Sequence, residues 1–153
     1  MDEKHKGGCF CCKLRYETVG EPARTAVCHC RYCQLRTGSG FGITVVFQYE
    51  RFEMTSGELD TYAHRTQNGN HLKIERCKSC GTSLFWILES KRFEGMIATA
   101  GGAYDPTTIW EKIDAEFFSR SRQKFCYVEA EVSYTSSPHY LPTKKEDARL
   151  LGG

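Results

Sequence analysis

The chain has 153 residues, a formal net charge of +2 and 26% charged residues. This length is that of one domain, and it is enough to bury a hydrophobic core without disulfide staples. No apolar run approaches the roughly 18 residues that a membrane-spanning helix requires. We therefore expect one globular domain with no membrane contact.

Nine cysteines are far more than a chain of this size ordinarily carries. In a secreted protein they would indicate a disulfide framework. The first ten residues, MDEKHKGGCF, are charged and lack the apolar segment of a secretion signal. We therefore expect a cytosolic or nuclear chain, with the cytoplasm as the predicted location, whose clustered thiols are metal ligands.

Short segments rich in β-branched and aromatic residues alternate along the chain with turns of glycine, threonine and serine, which is typical of strands. Only the segment RYCQLRT, residues 31–37, could form a helical turn. A mainly β domain is therefore expected over residues 1–142, followed by a polar C-terminal tail over residues 143–153. The predicted strands are residues 14–19, 42–47, 51–55, 59–64, 71–76, 83–89 and 95–100.

Eight of the nine cysteines fall into three groups along the chain. Because side chains alternate on an extended backbone, C-x-C places both thiols on one face, and C-x-x-C closes a tight turn with both sulfurs directed at one ion. Gly81 follows such a turn, where a glycine can adopt the positive φ that lets the chain leave it. These spacings predict zinc binding. The groups are Cys9, Cys11 and Cys12; Cys28, Cys30 and Cys33; and Cys77 with Cys80.

Seven of these thiols divide into a set of four and a set of three. A structural zinc site has four protein ligands, whereas a catalytic one keeps three and leaves a position for water or substrate. An ion held by the set of four would close a long loop and fasten the start of the chain. That set is Cys9, Cys11, Cys77 and Cys80.

The remaining triplet, Cys28, Cys30 and Cys33, would then form an open site. In the alternative, another residue closes the triplet as a fourth ligand. His29 is the nearest nitrogen, but strand alternation directs it away from its two neighbours. A histidine in this position more often caps a loop or faces solvent.

Three ordered motifs resemble those of the glutathione-dependent formaldehyde-activating (GFA) family, which includes centromere protein V-like domains. The resemblance implies an Mss4-like fold of small antiparallel sheets around zinc, with two Zn²⁺ ions per chain. It also implies a carbon–sulfur lyase of the S-(hydroxymethyl)glutathione synthase type, whose partner is a small thiol such as glutathione or its adduct. The motifs are GGCFC with LRYE, CHCRYCQLRTGSGFG and RCKSCGTSLFW, and together they cover roughly residues 7–125.

The resemblance also assigns roles to the cysteines. It implies a structural zinc on the set of four and a second zinc of the catalytic type on the triplet. The implied catalytic residues are therefore Cys28, Cys30 and Cys33, and the implied metal ligands are these three with Cys9, Cys11, Cys77 and Cys80.

Two features of the chain depart from or extend this pattern. Cys12 stands where the family usually has glycine. Because it directly follows Cys11, its side chain should point to the opposite face of the chain, which makes it a spare thiol. The alternative is that Cys12 is an eighth metal ligand. The family's C-terminal tryptophan is absent from FFSRSRQKF, while Asp105 and Pro106 of its preceding turn are present. Asp105 is thus a candidate acid or base, with plain turn capping as the alternative.

Several other side chains have both a functional and a structural interpretation. Four polar residues around the triplet could bind ligand carboxylates or simply form a solvated loop face: Arg31, Arg36, Thr37 and Ser39. Four aromatic residues could wall a cavity, although core packing is more usual: Phe85, Trp86, Phe117 and Phe118. The ninth cysteine, Cys126, is predicted to be a small buried hydrophobe.

Two other functional classes compete with the enzyme hypothesis. Zinc knuckles also occur in nucleic-acid-binding modules, but the basic residues here are scattered, and seven thiolates with two zinc ions bring the net charge to about −1. Nucleic acid is therefore not expected as a partner. The second hypothesis is a non-catalytic, zinc-stabilised binding or scaffold protein. The sequence makes no prediction of an oligomeric state.

Overall fold

The computed structural model describes residues 2–106 and 110–143 of the chain. Strands dominate these residues, which confirms the predicted mainly β class. The described residues contain one α-helix, α1, at Arg31–Thr37, as the sequence predicts. The strands are β1 Lys4–Gly8, β2 Arg15–Val19, β3 Arg24–Cys28, β4 Gly42–Gln48, β5 Phe52–Ser56, β6 Leu59–Arg65, β7 His71–Cys77, β8 Ser83–Glu89, β9 Met96–Ala100, β10 Ile113–Phe117 and β11 Ala130–Ser133.

The strands form two sheets. One has eight strands in the order β11-β10-β3-β4-β9-β8-β7-β6, and the other has three in the order β1-β2-β5. Most neighbours are antiparallel, but β10 pairs in parallel with both β3 and β11. Parallel neighbours require a long connection, and here β10 returns to β3 from the far end of the chain. This return brings the segment after Phe117 beside the cysteine triplet.

The seven predicted strands correspond to β2 and β4 to β9, with ends within one residue of those observed. Four strands were not predicted: β1, β3, β10 and β11. The sequence of β1, KHKGG, consists of charged residues, a histidine and glycines, which have low strand propensity. Its conformation comes instead from the antiparallel ladder with β2, in which Gly7 lies opposite Tyr16.

The hydrophobic core lies between the two sheets. Tyr16 of β2 is fully buried, and its ring lies 5.4 Å from that of Tyr104 and 5.9 Å from that of Phe85. Both of these contacts are edge-on, the arrangement that aromatic rings prefer. Cys9 and Cys77 belong to the same buried cluster. Two thiols of the set of four, one from each half of the set, therefore lie in the core.

The chain beyond β11 returns across the β6–β7 hairpin. The backbone N–H of Thr143 donates to the Gln67 carbonyl at 2.6 Å, and the Tyr140 hydroxyl donates to the Gln67 side chain at 2.7 Å. The predicted polar tail begins at residue 143, and residues 144–153 of it lie outside the described part of the chain. No helix within the described residues has the length and apolar character needed to cross a membrane.

Candidate metal centres

The structure brings together the four predicted thiols of the first site. Their sulfur atoms all lie within 4.8 Å of one another. The sulfurs of Cys9 and Cys11 are 3.4 Å apart, and those of Cys11 and Cys77 are 3.8 Å apart. A tetrahedral zinc with Zn–S bonds of about 2.3 Å requires sulfurs about 3.8 Å apart. The donor set, Cys9, Cys11, Cys77 and Cys80, therefore fits a structural zinc ion.

Two similar turns place these thiols. In the first, the backbone N–H of Cys12 donates to the Cys9 carbonyl at 3.0 Å; in the second, that of Gly81 donates to the Cys77 carbonyl at 2.8 Å. Gly81 has a φ of +74°, as its position after the C-x-x-C turn predicts. We call the set of four the closed cluster, because it supplies four sulfurs from two turns.

The thiols of the closed cluster differ in acidity. Hydrogen bonds from the Thr82 hydroxyl and backbone lower the pKa of Cys80 to about 5. Although a backbone hydrogen bond at Lys13 lowers it, burial and the neighbouring sulfurs raise the pKa of Cys11 to about 12. Each thiolate disfavours ionisation of the neighbouring thiols, because like charges repel within a small volume. A divalent ion there would favour the thiolate form of all four.

The three remaining predicted thiols form a second cluster, which we call the open cluster. The sulfurs of Cys28, Cys30 and Cys33 lie within 4.8 Å of one another. Cys28 ends β3, Cys30 caps the start of α1, and Cys33 lies in the first turn of that helix. The backbone N–H of Cys33 donates to the Cys30 sulfur at 3.4 Å. Within residues 2–106 and 110–143, no histidine or carboxylate ligand atom joins this set, so three sulfurs remain, as an open zinc site requires.

His29 does not complete the open cluster. Its Nε2 lies 2.9 Å from the Oε1 of Glu116, and its backbone N–H donates to the Phe117 carbonyl at 3.0 Å. Both His29 and Glu116 are buried, with exposed fractions of 0% and 1%. The prediction of a solvent-facing histidine is therefore wrong, because β10 lies beside β3 and supplies a buried carboxylate partner. The expectation that His29 points away from its two neighbouring thiols agrees with this contact.

Glu116 is the centre of a buried polar network beside the open cluster. Besides His29, its carboxylate accepts a hydrogen bond from the Ser133 hydroxyl at 2.6 Å and one from Arg122 at 3.1 Å. Burial acts to raise the pKa of Glu116, but the hydrogen bonds from Ser133 and His29 and the charge of Arg122 together hold it below its ordinary value. Sequence reasoning missed this network, since a lone glutamate in IDAEF carries no motif.

Arg36 is the charged side chain placed against the open cluster. Its Nη2 lies 3.9 Å from the Cys33 sulfur, and its guanidinium carbon lies 3.5 Å from the centre of the Trp86 ring. Hydrogen bonds with the other two thiols, together with the positive charge of Arg36, lower the pKa of Cys33. The open cluster thus has a cation fixed beside one of its sulfurs by an aromatic face.

Gly42 at the start of β4 permits this close packing. A Cβ atom at residue 42 would lie 2.7 Å from the Nη2 of Arg36 and 3.3 Å from the Cβ of Cys33. Both separations are shorter than ordinary contacts, so a side chain at residue 42 would push the Arg36 guanidinium aside and shift Cys33 by a few tenths of an ångström. The glycine-rich segment after the triplet therefore has a packing function at the site.

The other polar candidates around the triplet stabilise the helix and its exit turn. Arg31 donates to the Gln34 side chain at 3.3 Å, whereas the Thr37 hydroxyl donates to the Cys33 carbonyl at 2.8 Å. The backbone N–H of Ser39 donates to the Thr37 hydroxyl at 3.2 Å. Arg36, in contrast, contacts the sulfur of Cys33.

The aromatic candidates pack in the interior or on one another. Phe85 and Trp86 are buried, which favours the core interpretation. Phe117 stacks on Tyr134 at 5.4 Å, and Phe118 meets the Tyr140 ring edge-on at 5.3 Å.

Two further cysteines lie outside both clusters. Cys126 is half-buried and not fully buried as predicted, because it lies in an irregular segment between exposed Phe125 and Tyr127. Cys12 is exposed and has a φ of +61°, a conformation that favours glycine, the residue expected there from the resemblance. Its position agrees with a spare thiol.

Asp105 lies beside Arg15 of β2, and the two side chains form an ion pair. The hydrogen bond from Arg15 holds the pKa of the Asp105 carboxyl below its ordinary value. Its backbone N–H donates to the Lys6 carbonyl at 2.8 Å. These contacts join the turn to β1 and β2, so they support the structural alternative for Asp105 and give no support to an acid role.

The geometry defines a class: a β-sheet protein with one closed and one open cysteine cluster, each suited to a metal ion. The family model described as glutathione-dependent formaldehyde-activating enzyme matches residues 4–121. The chain belongs to this family. It is also similar to a solved crystal structure of a Rhodobacter sphaeroides protein, with a TM-score of 0.51, 19% sequence identity, and coverage of 69% of this chain and 95% of that one. At this identity the likeness concerns the fold alone, and the Mss4-like description stays a prediction.

Proposed function

We propose that this chain is a zinc-dependent carbon–sulfur lyase-like enzyme of the S-(hydroxymethyl)glutathione synthase type, acting on the adduct of a small thiol and formaldehyde. Family membership supports the reaction class. The observation that carries the proposal is the open cluster, whose three sulfurs have no fourth protein ligand within the described residues. The cytoplasm is the proposed location, because the cluster thiols must stay reduced.

The two clusters would have different roles. The closed cluster would hold a structural ion, since it supplies four sulfurs, and two of its thiols, Cys9 and Cys77, lie in the buried core. Cys28, Cys30 and Cys33 would hold the second ion. When bound there, zinc would supply Lewis acidity that favours an incoming thiol as its thiolate.

The residues around the open cluster hold its thiols in place and offset part of their negative charge. Arg36 places a positive charge beside the Cys33 sulfur, which offsets part of the negative charge of three thiolates. His29 is fixed between Cys28 and Cys30 by Glu116, so the loop that carries these two thiols is held from β10. The contacts therefore support a rigid thiolate set rather than a mobile loop.

The proposed reaction is a reversible addition without oxidation or reduction. In the forward direction the thiol sulfur forms a bond to the formaldehyde carbon, and the π electron pair of the C=O bond moves to oxygen. The proton lost by the thiol is balanced by the proton gained at that oxygen, which gives the S-hydroxymethyl adduct. Release of formaldehyde reverses these changes.

Exchange spectroscopy by NMR at equilibrium tests this proposal. The zinc-loaded protein is added to glutathione, ¹³C-formaldehyde and their adduct, and the rate of exchange between free and adduct carbon is measured. We expect the protein to accelerate exchange and Cys33→Ser to abolish the acceleration. Cys126→Ser is the matched control, because it removes a half-buried thiol outside both clusters.

Two results would contradict this proposal. Exchange at the rate without protein, with both clusters loaded, would favour the non-catalytic, zinc-stabilised scaffold. Equal acceleration by the parent and Cys33→Ser proteins would place the activity outside the open cluster.

A further inference from the structure

The segment 122–143 follows residue 121, the last residue that the family model matches. It contains β11, which pairs in parallel with β10, and the return of the chain across the β6–β7 hairpin. We call residues 122–143 the C-terminal clamp. Its hydrogen bonds lead to the open cluster along two separate routes, one to the loop before α1 and one to α1 itself.

The first route runs through Glu116 to the loop before α1. The clamp supplies two of the three side chains that bind the Glu116 carboxylate: the Ser133 hydroxyl donates to Oε2 at 2.6 Å, and Arg122 donates to Oε1 at 3.1 Å. The third is His29, which lies 2.9 Å from Oε1 and stands in the chain between two thiols of the open cluster. Because Ser133 holds Oε2, the clamp determines which carboxylate oxygen faces the histidine.

The second route runs through Gln67, which is 5% exposed. The clamp binds this residue at two places: the Tyr140 hydroxyl donates to its side-chain oxygen at 2.7 Å, and the Thr143 N–H donates to its carbonyl at 2.6 Å. The backbone N–H of Gln67 donates in turn to the Tyr32 hydroxyl at 3.0 Å. Tyr32 directly precedes Cys33 in α1, so the clamp fixes the turn that holds this end of the helix.

The helix α1 is too short to hold itself in place. It has seven residues, and none of them is buried. Isolated helices of fewer than about 12 residues are marginal in water, so contacts of single side chains, such as that of Tyr32 with Gln67, determine its position. Cys33 lies on this helix and Cys28 ends strand β3. The separation of their sulfurs therefore depends on how the helix and its loop are fixed to the sheets.

We propose that Ser133 and Tyr140 are positioning residues for the open cluster, the first through Glu116 and the second through Gln67. They set the separation of the three sulfurs, and thereby the metal affinity, without touching metal or substrate. Partners that orient metal ligands typically change metal affinity by about 10–100-fold. The inference rests on the proposed function only in that the open cluster holds an ion. It goes beyond that function because it places determinants of the site outside residues 4–121.

Chelator competition on the zinc-loaded protein tests this inference, because it measures the metal affinity of each cluster. We expect Ser133→Ala to lower the affinity of the open cluster about tenfold, and Tyr140→Phe to lower it by a smaller factor, because Gln67 and Tyr32 stand between. The affinity of the closed cluster should stay within about twofold.

Two control variants separate these hydrogen bonds from general effects of substitution. Ser133→Thr keeps the hydroxyl group and should keep the affinity of the parent protein. Tyr127→Phe also removes a tyrosine hydroxyl from the clamp, but Tyr127 is 84% exposed, so both clusters should retain the parent affinity.

Amide hydrogen exchange, followed by mass spectrometry, gives a readout that does not require an ion in the open cluster. We expect the amides of α1 to exchange at least about twofold faster in Ser133→Ala and Tyr140→Phe than in the parent protein, because the helix is held less firmly. The amides of β9, inside the eight-stranded sheet, should exchange at the parent rate. Thermal melts verify that the variants are folded.

The outcomes separate this inference from the proposed function. Equal losses of affinity at both clusters would overturn it, since they indicate a general loss of stability. Parent-like affinities and amide exchange in both variants would also overturn it. A loss confined to the open cluster and restored by Ser133→Thr would support it, even if the protein did not accelerate formaldehyde exchange. If the parent protein saturates with one ion, the proposed function fails, and amide exchange in α1 decides the inference.

Discussion

His29 and Glu116 form a fully buried pair, 2.9 Å apart, between the loop of the open cluster and the parallel strand β10. The register of that pairing places Phe117 opposite Cys28, which brings Glu116 next to the cysteine loop. A buried carboxylate without partners would reduce stability by several kcal/mol, but this one has three partners: His29, Arg122 and Ser133. The loop is thus fixed to the sheet by a charged hydrogen-bond network.

Replacing Glu116 should make the free energy of unfolding less dependent on pH in the acid range. Because partners depress its pKa from the ordinary 4.5, the carboxylate stabilises the fold fully above about pH 4.5, and this contribution is lost as pH falls through the folded-state pKa. We expect Glu116→Gln to lower the unfolding free energy by about 2 kcal/mol at pH 7 and by less in acid. Denaturant unfolding of parent and variant from pH 3 to 7 measures the difference.

The difference between the two proteins is the informative quantity, because acid also protonates the cysteine clusters in both of them alike. Exposed Glu129→Gln serves as the control and should change stability by less than about 0.5 kcal/mol at any pH. A Glu116→Gln effect that is constant across the range would mean that Glu116 acts through shape and not through charge.

Both cysteine clusters could be predicted from spacing, because C-x-C and C-x-x-C constrain where sulfurs point whatever the surrounding fold. The alternation of β-branched and aromatic residues likewise predicted β4 and β8. His29 shows the limit of that reasoning. Alternation correctly directs it away from Cys28 and Cys30, but its partner is 87 residues away and is set by a parallel strand that the sequence did not indicate.

The arginines around the open cluster show a second limit. Arg31 and Arg36 are equivalent in the sequence, since both flank the triplet on the same short helix. The packing of α1 on the sheet distinguishes them, because it places Arg36 over Trp86 of β8. A contact between elements distant in the chain, such as this one, depends on tertiary packing, which local pattern does not specify.

Loss of the closed cluster should lower the free energy of unfolding far more than loss of the open cluster. Cys77 is 2% exposed and lies in the core cluster, and its site joins segments more than 60 residues apart, so metal binding there contributes directly to folding. We expect Cys77→Ser to lower the free energy of unfolding by more than about 4 kcal/mol, and Cys33→Ser to lower it by less than about 2 kcal/mol. Thermal and denaturant unfolding of the zinc-loaded proteins rank them. The reverse order would exchange the structural and catalytic assignments.

Cys12→Gly should be neutral to stabilising. Residue 12 has a φ of +61°, a strained conformation for a side chain with a Cβ atom and an easy one for glycine. We expect a gain of up to about 1 kcal/mol in unfolding free energy with zinc content unchanged. Cys12→Ala removes the same thiol without relieving the strain, so it should show no such gain. Loss of zinc in both variants would identify Cys12 as an eighth ligand.

Gly42→Ala should disturb the open cluster selectively. The added methyl group would lie 2.7 Å from the Nη2 of Arg36 and 3.3 Å from the Cβ of Cys33, so the guanidinium must leave its place beside the Cys33 sulfur and Cys33 must shift slightly. We expect metal affinity of the open cluster to fall at least about tenfold, while the closed cluster retains its ion. Competition with a chelator measures both affinities. At Gly102 an added Cβ meets no atom within 4 Å, so Gly102→Ala should leave both affinities unchanged.

The central claim is that the open cluster holds a metal ion with one position free for a thiol. Cobalt substitution with absorption spectroscopy tests it most directly, since thiolate-to-cobalt charge-transfer bands increase with each sulfur ligand. We predict about two cobalt ions per chain, and a further charge-transfer band on titration with glutathione that is absent in Cys33→Ser. Saturation at one cobalt ion, or a spectrum that glutathione at millimolar concentration leaves unchanged, would contradict the account.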